Sequence, residues 1–416
     1  MFRGRGASSA AGPFSIFPKR IGGTIPMILI KNGTVKTMAG PDIENGQVLL
    51  DGGKIVAVGQ QVDAPADAQV IDAAGCLVTP GLVDGHCHIG LEEAAIRFEG
   101  TDGNECTNPV TPHVRAIDAI QPMDETLAQA AAAGVTTAVT GPGSGNVVGG
   151  TFVAIKMHGK RVDDMILKYP VAMKCAFGEN PKRVYGGQKK MPITRMGTAA
   201  LLRDLLARTV EYDEAKKAYA ADPKNAKKPP VDVKLEAMLP VVHKEIPLKA
   251  HAHRADDIFT ALRIAKEFDV DITLDHCTEG HLIMDELVKE GKGVLVGPTM
   301  GDKSKFELKN KSFETPKALN EAGLTMCIIT DAPVIPLEYL SLCAGLAVNA
   351  GLDEQEAWKA ITINPAKITG IADRVGSLEV GKDADVAIFR GNPITDLQYK
   401  TEYTIINGEI VVGQQR

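Results

Sequence analysis

Six residues of this chain have the types and spacing needed to hold a cation and move a proton: His86, His88, His251, His253, His276 and Asp331. Leu77, Val78, Leu82 and Val83 are apolar and β-favouring, so the stretch from Pro80 to His88 reads as a short buried strand that ends in two histidines. Side chains alternate along a strand, so His86 and His88 project to one side. His251, His253, His276 and Asp331 also fall at or just beyond the C-terminal ends of expected strands, those over 246–250, 272–274 and 325–330. Imidazole nitrogens and carboxylate oxygens are the usual ligands of zinc and similar divalent ions, and a catalytic centre keeps one position for water. Such an ion lowers the pKa of that water toward neutrality. Asp331 then suits the role of base, taking a proton from attacking water and returning it to a departing amine. His113, His158, His243 and His281 lack such a setting and read as surface or packing residues.

The elements that must position these residues alternate. Strands are expected over 134–140, 171–177, 246–250, 272–274, 293–296 and 325–330, with helix-spaced segments over 125–133, 199–212, 256–268 and 280–290 between them. Strand and helix taking turns from residue 79 to 372 indicates a parallel sheet covered by helices, and in a barrel the strand ends surround one shared mouth. Apolar runs punctuated by Asp-Gly and Gly-Gly over 27–78, and a similar texture over 373–416, read as hairpins. Each end has too few strands to bury a face alone, so the two are expected to form one composite β domain. The Gly-rich stretch 141–150 reads as a loop without the lysine of a nucleotide site. The Lys-rich stretch 216–234 reads as a solvated insertion.

With 416 residues and 44% hydrophobic content the chain can fill a large core and a smaller one. A net charge of -6 argues against a nucleic-acid surface and directs attention to a small-molecule substrate. No apolar run approaches the roughly 20 residues of a membrane-spanning helix. Seven cysteines without a Cys-x-x-Cys pair fit reduced thiols and a cytoplasmic location. A homo-oligomer is expected. Residues 1–26 lack the apolar centre of a secretory signal and are read as a disordered extension before Met27.

The stretch 80–88, Lys249-Ala250-His251-Ala252-His253, Leu274-Asp275-His276, Thr330-Asp331, Asn364-Pro365-Ala366-Lys367-Ile368 and the run 376–386 together resemble the amidohydrolase superfamily, most of all its imidazolonepropionase and prolidase-like branch. The resemblance implies a distorted (β/α)8 barrel with a composite β-sandwich. It implies that His86 and His88 ligate a first ion, that His251 and His276 bind an ion or the substrate carbonyl, and that Asp331 is both ligand and base. One or two divalent ions are implied, zinc being the expected metal. Two-metal members use a carbamylated lysine or a glutamate as bridge; Lys174, inside a strand, and Glu179, at its mouth, both offer themselves, with Glu179 preferred. His253 either shares the ligand face or touches substrate. Arg183, with Lys182 and Tyr185, could bind a substrate carboxylate, and His113, on a segment 92–122 placed to act as a lid, is a further substrate candidate. The expected activity is hydrolysis of an amide, peptide or cyclic amide bond; an amidine deaminase or a non-catalytic scaffold are the alternatives.

Overall fold

A computed structural model describes residues 26–94 and 97–413. The expected extension 1–26 therefore lies, apart from Pro26, outside the described residues. Five strands open the chain: β1 (Ile28–Val35), β2 (Ile43–Asp51), β3 (Lys54–Gly59), β4 (Gln69–Asp72) and β5 (Cys76–Pro80). Eight more form a second sheet: β6 (Leu82–Cys87), β7 (Val135–Thr140), β8 (Val148–Lys156), β9 (Ile166–Ala176), β10 (Leu248–Ala252), β11 (Ile272–His276), β12 (Val294–Val296) and β13 (Met326–Ile328). The chain closes with β14 (Val386–Arg390), β15 (Lys400–Ile406) and β16 (Glu409–Val412). Strands β14 to β16 join β1 to β5 in one sheet ordered β16-β15-β14-β5-β1-β2-β3, with β4 alongside β1. The two chain ends thus build a sheet together, because β14 pairs antiparallel with β5 from Val386↔Pro80 to Arg390↔Cys76.

The middle sheet runs β13-β12-β11-β10-β9-β8-β7-β6 and is nearly closed. Strands β10 and β11 are buried at every residue, as expected of parallel strands covered on both faces. One strand departs from the parallel pattern. Strand β8 is antiparallel to both β7 and β9, and it occupies sequence read above in part as a loop, since the Gly-rich stretch 141–150 runs straight into it. Its glycines suit a loop as well as a strand; Gly150, at φ +126°, admits the backbone of Val114, whose carbonyl oxygen would lie 2.2 Å from any added Cβ. The Lys-rich stretch is also divided: Lys216 and Lys217 belong to the helix Arg195–Ala221, and Lys216 pairs with Glu236 at 2.7 Å.

The seam between β6 and β13 is held by the segment that follows β13. Asp84 on β6 accepts hydrogen bonds from the Thr330 backbone N–H at 3.0 Å and the Thr330 hydroxyl at 2.6 Å, while the His88 N–H donates to the Ala332 carbonyl at 2.7 Å. This seam fixes the distance between the two ends of the barrel that carry His86, His88 and Asp331.

A buried ionic cluster joins the two sheets. Lys156, on β8, contacts Asp383 at 3.0 Å and Asp385 more closely; Arg374 grips Asp383 with two hydrogen bonds of 2.9 and 2.8 Å, and Lys54 adds a third cation at 2.8 Å. Burial opposes ionisation of Asp383, but Lys156, Arg374 and Lys54 outweigh it and hold the carboxyl well below the usual carboxylate range. Stability from a depressed carboxyl is complete above the unfolded pKa of about 4 and is lost as pH falls below it. Asp383→Asn should therefore cost about 2–3 kcal/mol at pH 7, and thermal melts from pH 7 down to pH 3 should show the gap to the parent protein narrowing. A gap that stays constant across this range would exclude Asp383 as the acid-sensitive group.

Candidate metal centre

The residues singled out by type and spacing converge at the C-terminal mouth of the barrel in two groups. In His86, His88 and Asp331, and again in His251, His253 and His276, one ligand atom from each residue lies within 4.8 Å of the others. All five histidines are buried, and Asp331 follows β13 by three residues.

Second-layer contacts decide which nitrogen of each ring faces inward. A carbonyl oxygen only accepts, so the bond from His88 Nδ1 to the Gly141 carbonyl at 2.7 Å puts the ring hydrogen on Nδ1 and leaves a lone pair on Nε2. The bond from His276 Nδ1 to the Gly297 carbonyl at 2.6 Å does the same, and His276 Nε2 has no partner among the described residues. His86 Nδ1 lies 2.9 Å from Asp275 Oδ2, an ionic contact without hydrogen-bond geometry, and its Nε2 is on the side of Asp331. Both Nε2 atoms, of His86 and His88, are then 3.2 Å from Asp331 Oδ1. At that distance a shared proton or a cation among them would satisfy the nitrogens and the carboxylate oxygen. Carbonyl- and carboxylate-anchored imidazoles are the usual surroundings of a metal ion, so the donor set fits a divalent cation.

Burial, followed by neighbouring cationic groups, drives the His251, His253 and His276 rings well below the ordinary imidazole range, so they are neutral donors. Burial works against ionisation of Asp331; positive charge on His276, followed by contacts from His86 and His88, lowers its carboxyl well below the usual carboxylate range, a role that a bound cation would take over while the rings stay neutral.

Beneath the histidines lies a charged floor. Lys174 on β9 and Lys249 on β10 are register partners, and Asp275 on β11 pairs with His251. Lys249 Nζ is 3.2 Å from Asp275 Oδ1, and Lys174 Nζ is 3.9 Å from Asp275 Oδ2 and 3.4 Å from His86 Nε2. Burial pushes the Lys174 amine down to about 8 even though Asp275 and Asp331 oppose it. Phe152 of β8 completes the floor, stacked on His86 at 5.3 Å and facing both ammonium groups at 5.6 and 5.5 Å. Asp275, Lys249 and Phe152 were not among the residues expected to act. The motifs around His251 and His276 contained the first two, whereas Phe152 lay in a strand that was not foreseen.

Adjacent strand residues face opposite sides, yet Asp275 and His276 both reach the centre. The alternation breaks where His276 and Cys277 take left-handed φ values of 72° and 45°, and Asp331 does likewise at 55°. Such conformations are costly for these residue types and gather at functional sites.

The remaining candidates are placed differently. Glu179 belongs to neither ligand group; it opens the helix Glu179–Gly187, and its backbone N–H donates to Glu307 Oε2 at 2.9 Å. Tyr185 is buried and donates to Asn146 Oδ1 at 2.5 Å, while Arg183 and His113 are exposed. A cavity of about 810 Å³ lined by Met38, Gln355, Lys359, Lys367, Glu379 and Lys382 includes none of the histidines.

A barrel whose C-terminal mouth collects imidazoles around a carboxylate is the framework of a metal-assisted hydrolase. The Amidohydrolase family model matches residues 77–411, and the chain belongs to that family of hydrolases acting on carbon–nitrogen bonds. Among solved structures, an amidohydrolase from Thermotoga maritima MSB8 superposes with a TM-score of 0.89 at 42% identity, covering 93% of this chain and all of that one. Amidohydrolase tasK of Hapsidospora irregularis is 28% identical over 84% of this chain, which spans 38% of that protein's length. The imidazolonepropionase of Geobacillus kaustophilus is 26% identical over 89% of this chain and 91% of its own. A prolidase solved with N-methylphosphonate-L-proline shares the fold, with a TM-score of 0.56 at 18% identity.

Asp275 contacts His86 and offsets two buried ammonium groups. If the centre holds a divalent cation, Asp275→Asn should weaken its binding by about 10–100-fold, read by equilibrium dialysis of metal-stripped protein against buffered Zn2+ as the probe. Unchanged affinity would show that His86 needs no anchor.

Proposed function

We propose that this chain is a metal-dependent hydrolase that cleaves an amide-type carbon–nitrogen bond of a small molecule. The observation that carries the reading is Asp331 Oδ1 held 3.2 Å from both His86 Nε2 and His88 Nε2, in a buried mouth whose ring hydrogens are directed outward. His86, His88 and Asp331 would hold a divalent ion, for which zinc suits the nitrogen and oxygen donors. When bound, that ion supplies Lewis acidity and lowers the pKa of water.

The chain's own residues do the rest. Asp331, ionised and reachable from the mouth, accepts a proton from the attacking water and delivers it to the departing nitrogen. His276 faces the same space through an unpartnered Nε2 whose lone pair would serve as a further donor to the ion, since its ring hydrogen is on the Nδ1 side, bonded to the Gly297 carbonyl. For the position between the two histidine groups we favour Lys174 over Glu179, because its Nζ lies 3.4 Å from His86 Nε2 with no exposed surface; a carbamate there would exchange the ammonium for an anion and would need bound cations beside it. Among substrates carrying an anionic group, such as acyl-amino acids, dipeptides or cyclic amides with a carboxylate, the names imidazolonepropionase and prolidase favour the last two, with Arg183 exposed to meet the charge. Seven unpaired cysteines support a reducing, cytoplasmic setting.

A library of these three substrate classes, screened with zinc-loaded protein, should reveal turnover that a chelator abolishes and Zn2+ restores. On the best substrate, Asp331→Asn should lower kcat by at least about 100-fold while most of the bound metal remains. Full activity in that variant would remove Asp331 from proton transfer.

A further inference from the structure

The stretch 301–311, which follows β12, carries Lys303, Lys305, Lys309 and Lys311 against two acids, Asp302 and Glu307, a local excess of positive charge in a chain whose net charge is -6. Three of these lysines are committed elsewhere. Lys311 Nζ donates to the Gly301 and Asp302 carbonyls at 2.7 and 2.9 Å, Lys303 Nζ donates to the Lys309 carbonyl at 2.7 Å, and Lys309 lies over the exposed Phe306 ring at 4.9 Å. Glu307 fastens the turn Phe306–Leu308 from within: it is 1% exposed, and its Oε2 accepts the Glu179 backbone N–H at 2.9 Å. The fold keeps room for it, since a Cβ added to Gly178, which has a φ of +78°, would come within 2.6 Å of that oxygen.

Lys305 alone turns inward. Its side chain is 21% exposed, and its Nζ lies 3.7 Å from Glu307 Oε1, which is itself 3.8 Å from His251 Nε2 and 3.7 Å from His253 Nε2. After burial, neighbouring groups that include Lys305 keep both rings well below the ordinary imidazole range. A separation of 3.7 Å is too long for a hydrogen bond, so none of the three ammonium donors is met among the described residues. The stapled loop thus holds a cation beside the rings of the mouth with its donors unmatched. Arg183 is exposed on the helix Glu179–Gly187, so the two cations would meet an anion at different depths. Ring centre to ring centre, His86 is 5.2 Å from His276 and His276 is 4.7 Å from His253, a path that about three residues of extended chain cover. A group held at Lys305 therefore belongs to a short substrate.

We propose that Lys305 binds the carboxylate of the substrate and makes the chain selective for short free acids over their neutral amides. It determines specificity and takes no part in proton transfer. A carboxylate offers two acceptor oxygens to an ammonium without partners, and such a charge-assisted contact is stronger than a neutral one. The inference rests on the proposed hydrolysis at the Asp331 end of the mouth.

The test compares the best substrate of the library with the same molecule carrying a primary amide in place of its carboxylate, by steady-state kinetics of the zinc-loaded protein. The parent protein should favour the acid through KM. Lys305→Met should raise KM for the acid by about 10-fold or more, with kcat and the KM for the amide nearly unchanged. Lys305→Arg, which keeps the charge, should recover much of the loss, and Lys309→Met, at the outward-facing lysine, should match the parent. A best substrate without an anionic group, an unchanged KM for the acid in Lys305→Met, or equal losses on acid and amide would overturn the assignment; Lys305→Gln gives the same comparison should Lys305→Met fail to fold. If no substrate is turned over, calorimetric binding of a panel of dipeptides and dipeptide amides to the zinc-loaded protein decides. Selective binding of the acids, abolished in Lys305→Met, would keep the anchor and remove the hydrolase reading, whereas binding without selectivity, or none, would overturn both.

Discussion

Charge buried without solvent is the constraint on which this site depends. Lys174, Lys249, Asp275 and His86 sit at the centre of the barrel with at most 1% exposure, and an isolated charge there is far too costly to persist. Asp275 resolves the problem by meeting both lysines and His86 at once. Burial alone would push its carboxyl up; Lys249, His86 and Lys174 reverse this and hold it well below the usual range. His86 Nε2 lies on the side of Asp331. The electrostatics that keep the fold viable are therefore those that surround His86, the first residue of the proposed centre.

The barrel supplies the rigidity this arrangement needs. Register pairs Lys174 with Lys249 and His251 with Asp275, so height along the axis is set by backbone ladders rather than by flexible side chains. Strand β8, inserted antiparallel, brings Phe152 under the histidines as an aromatic floor that packs against ammonium groups without adding charge. Where a side chain of the mouth leaves the strand pattern, the chain accepts left-handed backbone at His276 and Asp331. The Asp84–Thr330 seam and the Asp383–Lys156 cluster are the matching anchors outside the site, one closing the barrel and one binding it to the sheet of the chain ends.

Much of this was legible in the order of residues. The period-two pattern at His86 and His88, the strand ends at His251, His276 and Asp331, and the paired texture of the two termini report local preferences that survive folding unchanged. The strands expected over 134–140, 293–296 and 325–330 fall close to β7, β12 and β13, because apolar β-branched runs bounded by glycine or by turns have few other solutions. Strand β8 was concealed in part because its glycines suit a loop equally well, and only its neighbours β7 and β9 supply the hydrogen-bond partners that make it a strand.

What the sequence determined by itself was the donor inventory and the barrel that presents it, since both follow from residue type and periodicity. Tertiary structure decided which donors meet. Lys174 came to the centre and Glu179 turned away because strand register and helix entry, not residue chemistry, set their heights. Glu307 entered from 31 residues beyond His276 on a turn with no periodic signature, placed there by packing against Gly178 and the Glu179 backbone. Contacts between segments distant along the chain have no local pattern to announce them, and the far side of this mouth is made of such contacts.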